Sequence, residues 1–203
     1  MKRIFTAALV TLSLGAFASS ASATTFTLAD YDVDARSTDP GLVLWVEELL
    51  AAPFTFDLDT VGQTRTVELF EVGTKEGTVN LFEDTRSYPI TVGFTFSSPV
   101  FPGGTGTATG TSAGHTILIA DWATVSWNNP LVMAFGLTGQ LGIWLENVSF
   151  GVPGSTTIDA KFKLLQQDVS AAPVPEPASM ILFGSGLAAG AAMLRRRRSR
   201  RAA

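Results

Sequence analysis

Apolar and polar residues alternate with a period of two along several short stretches of this chain. In the three cleanest stretches the apolar members are Phe54, Phe56 and Leu58, then Val92, Phe94 and Phe96, and then Ile158, Ala160, Phe162 and Leu164. Because successive side chains of an extended strand point to opposite sides, each stretch is predicted to be a strand with one buried face. Gly, Pro, Asn or Asp interrupts the pattern after about eight to twelve residues, which is typical of an all-β sandwich or barrel.

Further strands are predicted from shorter apolar runs at residues 26–28, 65–72, 78–82, 116–120, 124–127, 131–137 and 141–150. The last run is apolar on both faces, which favours a strand in the middle of a packed sheet. Helical periodicity is scarce in the body of the chain. The predicted fold class is therefore all-β, with a single antiparallel, jelly-roll-like β-sandwich over residues 24–172.

Two stretches allow alternative interpretations. Residues 39–53 fit a helix, with Asp39 as N-cap and Pro40 in the first turn, but the β-prone Leu-Val-Leu-Trp-Val run also fits a strand. The β-rich neighbours favour the strand. Residues 101–114 are rich in Gly and Thr, and they fit either a flexible surface loop or a thin strand with Thr hydroxyls on one face.

The N-terminal segment has the pattern of a secretory signal peptide. A basic start at residues 1–3 is followed by an apolar run at 4–17 and by the small residues Ala21 and Ala23 of a predicted cleavage site. The run is too short to span a bilayer comfortably, which disfavours a retained anchor. Residues 1–23 are predicted to be removed after export, so the mature chain begins at Thr24.

The C-terminal segment, residues 173–203, has three parts. Val174, Pro175, Glu176 and Pro177 precede an uncharged apolar run at 178–194, which is at the short end of what spans a bilayer as a helix. Six arginines lie in the Arg-rich tail at 195–203: Arg195, Arg196, Arg197, Arg198, Arg200 and Arg201. Such a cluster stays on the cytoplasmic side, so the run is predicted to be a stop-transfer anchor in the inner membrane.

These three parts in this order resemble the sorting tail of the PEP-CTERM family. The resemblance covers only residues 174–201, about a seventh of the chain. It implies a Gram-negative bacterium, an exosortase (a membrane enzyme that uses a cysteine) that cuts near the motif, and an association with exopolysaccharide export. For the tetrapeptide alone the alternative is a stiff linker, since proline fixes its own φ and favours extended backbone before it.

The whole-chain charge of −4 conceals a strongly acidic body. Residues 24–172 contain six Lys and Arg against seventeen Asp and Glu, a net charge of −11. Such a surface repels phosphate backbones and anionic lipids, so no nucleic acid partner is expected, while cations and neutral glycans remain compatible. The chain has no cysteine, which excludes disulfides, thiolate metal sites and cysteine nucleophiles.

Two groups of residues are candidate binding sites. Asp30, Asp32 and Asp34 would line one face of a strand, where bound Ca²⁺ would relieve their mutual repulsion, but the Gly and distal Glu of an EF-hand loop are missing. A solvated edge strand is the alternative, with no cofactor at all. Among four tryptophans, Trp122 is the best candidate for an exposed ring that stacks on a sugar, although tryptophans of such a domain are first of all core residues.

No catalytic set is evident in the sequence. His115 is the only histidine and has no serine nucleophile motif near it. Glycoside hydrolysis needs only two facing acids, such as Glu68, Glu83 or Glu146, but the seventeen acids of the body give many accidental pairs. The sequence therefore predicts an exported, non-catalytic surface or matrix protein, anchored as a precursor and then associated with exopolysaccharide or a biofilm. The alternatives are a glycan-binding module and a secreted enzyme that acts on glycosides.

Overall fold

The computed structural model describes residues 23–117 and 119–168. In these ranges the chain forms strands only, and no helix is present. The strands are β1 (Thr24–Asp34), β2 (Trp45–Glu48), β3 (Phe54–Leu58), β4 (Thr64–Thr74), β5 (Tyr88–Ser98), β6 (Thr105–Ile117), β7 (Ala120–Trp127), β8 (Leu131–Phe135), β9 (Gly139–Leu145), β10 (Val148–Gly151) and β11 (Gly154–Gln166). A helix long and apolar enough to cross a membrane is not found in the described part. The predicted signal helix and the run at 178–194 lie outside it.

The strands form two antiparallel sheets. The six-stranded sheet has the order β10-β7-β6-β5-β1-β3, and the five-stranded sheet has the order β2-β4-β11-β9-β8. The apolar faces of both sheets contribute to one continuous core. The predicted all-β antiparallel sandwich is thus confirmed.

Phenylalanine rings join the two sheets at the centre of this core. Phe162 of β11 is fully buried, and its ring centroid lies 4.8 Å from that of Phe56 and 6.3 Å from that of Phe94, both in the other sheet. Every apolar residue of the three alternating stretches is buried except Phe54, which is half-buried. The period-two pattern therefore identified the inward faces correctly, because burying one face of a strand requires that alternation.

A β-bulge in β1 explains how this strand buries residues of both parities. Phe26 and Leu28 point inward, but after register shifts around Leu28 the inward positions are Tyr31 and Val33. A bulge adds one residue to a strand and so resets its alternation. The Tyr31 hydroxyl then donates a 2.6 Å hydrogen bond to the Leu69 carbonyl of the opposite sheet. Burial, followed by the charge of Glu48, raises the pKa of Tyr31 to about 12.

Three predicted strands are wrong in part. The run at 116–120 is not one strand, since it is divided between the end of β6 and the start of its antiparallel partner β7. Residues 78–82 form turns, because the Asp84 carboxylate accepts a 2.6 Å hydrogen bond from the backbone N–H of Asn80 and closes the segment on itself. Residues 141–150 are two strands in different sheets, β9 and β10, separated by Glu146 and Asn147. The run was apolar on both faces because the chain changes sheets within it, although β9 does lie between two other strands as predicted.

The two ambiguous stretches are both strands in part. Within 40–52 only β2 is regular, so the strand interpretation is confirmed at Trp45–Glu48 and the helix is not observed. The Gly- and Thr-rich stretch belongs to β6, whose Thr side chains are exposed while its Gly and Ala positions face the core. A Cβ on Gly106 would lie 2.5 Å from the Met133 sulfur of the opposite sheet. The thin strand thus lets bulky residues of the facing sheet approach.

Both chain ends of the described domain emerge at one end of the sandwich. Thr24 pairs with Leu58, just before the turn that enters β4, and β11 finishes beside the start of β4. We call this the tail end; the opposite end, formed by residues 35–44, residues 75–87 and the β6–β7 turn, is the far end. At the tail end the Asp168 carboxylate accepts hydrogen bonds from the N–H groups of Leu137 (2.8 Å) and Thr138 (3.0 Å), which lowers its pKa. These bonds fix the point at which the chain leaves the domain.

Candidate functional site

The outer face of the six-stranded sheet is lined by small hydroxyl side chains. β6 exposes four threonines in a row along its outer face: Thr105, Thr107, Thr109 and Thr111. The hydroxyls of Thr95 and Thr105 lie 3.2 Å apart across β5 and β6, as do those of Thr27 and Thr55 across β1 and β3. The six strands contain no Lys or Arg. The face is therefore polar and carries no Lys or Arg.

An aromatic pair stands on this face near the far end. His115 and Trp122 are cross-strand neighbours in β6 and β7, and their rings stack with centroids 5.3 Å apart and planes 16° apart. The His115 Nε2 atom lies 2.9 Å from the Thr124 hydroxyl oxygen, and this hydrogen bond also holds the imidazole in place. Trp122 is half-buried, so the sequence-based choice of Trp122 identified a ring that keeps part of its surface accessible.

The other neighbour of Trp122 is Gly151 on the edge strand β10. A Cβ built on Gly151 would have no atom within 4 Å, so there is open space beside the indole. His115 stacks on one face of the Trp122 ring, and Gly151 lies on the other side. We call the open space between the indole and the β10 backbone the Trp122 slot. Aromatic rings in such a position accept the apolar face of a flat ring-shaped ligand.

Asp121 holds the strand end that presents this slot. Its carboxylate accepts a 3.0 Å hydrogen bond from the Val79 N–H, and its carbonyl accepts one of 3.1 Å from the Val152 N–H. A hydrogen bond from the Thr116 hydroxyl, and then that from Val79, lower the pKa of Asp121. Trp122 is thus positioned by contacts to two neighbouring loops, which supports a rigid rather than an adaptable wall.

The acidic triplet of β1 is exposed on one face, as predicted. Asp30, Asp32 and Asp34 pair with residues of β5, while β3 pairs only with the first half of β1. Of the residues that the structure describes, no three His, Cys, Asp or Glu side chains converge on a possible metal position. The triplet therefore lies on a solvated strand edge, and the Ca²⁺ interpretation stays a prediction.

The predicted glycosidase candidates do not share one place. Glu68 lies on β4 and Glu146 between β9 and β10, whereas Glu83 lies in the 75–87 segment of the far end, where it accepts a hydrogen bond from the Asn80 side chain. His115 packs on Trp122 with a threonine as its polar partner. The absence of enzymatic activity remains an expectation.

The domain is thus a β-sandwich that is followed, past residue 168, by a segment with the composition of a membrane-sorting signal. The family model described as PEP-CTERM protein-sorting motif matches residues 173–198. The C-terminal tail is therefore a PEP-CTERM sorting motif, which supports an exported protein that is first membrane-anchored and is sorted by an exosortase-type enzyme. No curated protein and no solved structure matches the chain.

Several predicted residues lie outside the described ranges. They are Ala21 of the signal cleavage site, the Val174–Pro177 tetrapeptide and the six arginines of the tail. Ala23 is exposed, and β1 begins at the next residue, Thr24. What the sequence did not reveal is the His115 stack and the open space at Gly151, since both depend on cross-strand register that only the fold defines.

Proposed function

We propose that this chain is an exported cell-surface or matrix protein without catalytic activity, processed at Val174–Pro177 by an exosortase-type enzyme and associated with exopolysaccharide or a biofilm. The observation that supports this most is the sorting motif at residues 173–198. Proline fixes its own φ and biases the residue before it away from helix, so the sequence Val-Pro-Glu-Pro favours the extended backbone that a protease cleft accepts. The inner membrane holds the precursor through residues 178–194 before processing.

Mass spectrometry of the secreted protein tests this proposal. We expect an N-terminus at or near Thr24 and a C-terminus that lacks the arginine cluster. Recovery of the intact tail from secreted material would contradict processing, and an intact tail confined to the membrane fraction would indicate a permanently anchored surface protein instead.

A glycan-binding module is the second candidate function, favoured by the slot beside Trp122. Its indole wall suits the C–H face of a pyranose ring, and the surrounding threonine hydroxyls suit sugar hydroxyls. The six strands of this sheet have no Lys or Arg, so the face suits a neutral polysaccharide better than an anionic one.

We expect two substitutions to weaken retention on a neutral polysaccharide. Trp122→Ala removes the wall, and Gly151→Leu places a side chain in the open space, where an added Cβ has no atom within 4 Å. Each should reduce binding in a pull-down at least several-fold while the melting temperature changes little. Trp144→Ala, on the opposite sheet, is the matched control and should bind normally. Unchanged binding by both slot variants would exclude this site, and a large stability loss in Trp122→Ala would assign the ring to the core.

A further inference from the structure

A second site lies at the far end of the sandwich, away from the Trp122 slot. A cavity of about 840 Å³ opens between the end of β1, the 35–44 segment, β2 and the residues that follow β4. This volume is within the range of about 300–1,000 Å³ that holds small molecules in proteins. Its walls combine apolar side chains, among them Val33 and Val43, with an indole and several carboxylates.

The indole of this cavity belongs to Trp45, and its position is fixed. Trp45 of β2 pairs with Gly73 of β4, and a Cβ on Gly73 would lie 2.5 Å from the Trp45 Cζ2 atom. The ring therefore lies directly on the β4 backbone, which only a glycine permits. Trp45 is half-buried and borders the cavity, so its remaining surface is available to a ligand.

The charged groups of the cavity are mostly carboxylates. Asp34, Asp39 and Glu76 line it against one ammonium group, that of Lys75. Glu76 Oε1 accepts a 2.8 Å hydrogen bond from the Val43 N–H, which orients this carboxyl group toward the 35–44 segment. Burial raises the pKa of Glu76; the Val43 hydrogen bond opposes this, and the charges of Asp84 and Asp39 add to the rise.

A smaller cavity of this chain shows how a cation packs on a tryptophan near carboxylates. In a smaller cavity of about 300 Å³ on the five-stranded sheet, Trp144 lies beside Glu146 and Asp159. There the Lys161 ammonium group lies 5.6 Å from the Trp144 ring centroid, in a cation–π contact. Over the Trp45 ring no such cation is found among residues 23–117 and 119–168. The larger cavity thus also combines an indole with carboxylates, but no cation of the described residues covers the Trp45 ring as Lys161 covers Trp144.

We propose that the far-end cavity binds a sugar unit with a free amine, such as a hexosamine of a partly deacetylated polysaccharide. The pyranose C–H face packs on Trp45, and the ammonium group is held by Asp39 and Glu76 through charge-assisted hydrogen bonds. The acidic body favours the approach of a polycationic chain at low salt. This inference rests on the proposed function in one respect only, namely that the amine belongs to a polysaccharide.

Calorimetry with the full chain in detergent tests the proposal with three probes: a glucosamine oligomer, its N-acetylated form and a glucose oligomer of equal length. At a mildly acidic pH, where the amine is protonated, the glucosamine oligomer should bind at least about tenfold more tightly than the other two. Added salt should weaken this binding. Equal affinity for all three probes, or no binding of the amine-bearing oligomer, would overturn the proposal.

Variants assign the binding to the cavity. Asp39→Asn with Glu76→Gln should weaken binding at least about tenfold, and Trp45→Phe should weaken it several-fold. The matched control is Glu146→Gln with Asp159→Asn, which alters the smaller cavity and should leave the affinity unchanged. Binding should also decrease as pH falls through the titration of Glu76, because protonation removes its charge, and Glu76→Gln should flatten that decrease. An unchanged affinity of the Asp39/Glu76 variant would refute the site.

The two glycan proposals fail independently. Trp122→Ala should leave the affinity for the glucosamine oligomer unchanged, and Trp45→Phe should leave retention on a neutral polysaccharide unchanged. If either single variant lost both glucosamine binding and retention on the neutral polysaccharide, the conclusion that the two sites are separate would be wrong. Processing of the tail, measured by mass spectrometry, is a third readout that neither variant should alter.

Discussion

Replacing Phe162 by Ala should lower the free energy of unfolding of the domain by about 3–5 kcal/mol, among the largest losses expected from a single substitution in this domain. Phe162 is fully buried, and its ring contacts Phe56, Phe94 and Phe96 of the opposite sheet. Truncation removes these contacts and leaves a cavity between the sheets. Since domains of this size are stable by only about 5–15 kcal/mol, the variant should melt at a much lower temperature.

Lys161→Ala is the control, one residue earlier on the same strand. Lys161 points outward and loses only its contact over Trp144, so we expect a change below about 1 kcal/mol. Both variants are compared by circular dichroism and thermal melts of residues 24–172 expressed alone, which we expect to fold without the tail. A helical spectrum would contradict the fold, and equal tolerance of both substitutions would contradict the assigned inward face.

The second large effect concerns processing of the tail. Replacing Pro175, Glu176 and Pro177 together by Ala should block removal of the arginine cluster, because the segment loses the two prolines that disfavour helix and its only carboxylate. The full-length chain should then accumulate in the membrane fraction, where immunoblotting against an internal epitope detects the larger species.

Pro173→Ala separates a recognised motif from a stiff linker. This variant also removes a proline upstream of the predicted membrane-spanning run but leaves Val174–Pro177 intact. A recognised motif predicts normal processing of this variant and loss of processing in the triple variant. Similar defects in both would instead support the linker interpretation, in which only chain stiffness matters.

The fold was predictable from the sequence where burial of one strand face left a period-two pattern, as around Phe94 and Phe162. Prediction failed where a local pattern spans two environments. The run at 141–150 contains two strands of different sheets, and the apolar residues at 78–82 lie in a turn with Leu81 and Phe82 exposed. Neither the sheet change nor the turn alters residue composition enough to be detected by periodicity.

The candidate sites were predictable to different degrees. Trp122 was singled out because it lies between Asp121 and Ala123 after the predicted apolar strand at 116–120, whereas the structure places it within β7. The far-end cavity was not foreseen, since Asp34, Trp45 and Glu76 come from three separate segments. Only strand pairing brings them together, and pairing partners cannot be read from one sequence by local pattern.

Both ends of the described domain, Thr24 and Asp168, lie at the tail end of the sandwich. Nine residues, 169–177, separate Asp168 from the apolar run, and a chain of that length reaches at most about 30 Å. The thirteen residues of β6 run between the two ends of the sandwich, which places the far end roughly 40 Å beyond the tail end. If both proposals hold, an enzyme that cuts the tail and a ligand held at the far end would occupy opposite poles of the molecule. Ligand binding and release from the membrane would then not compete for space, so either event could come first.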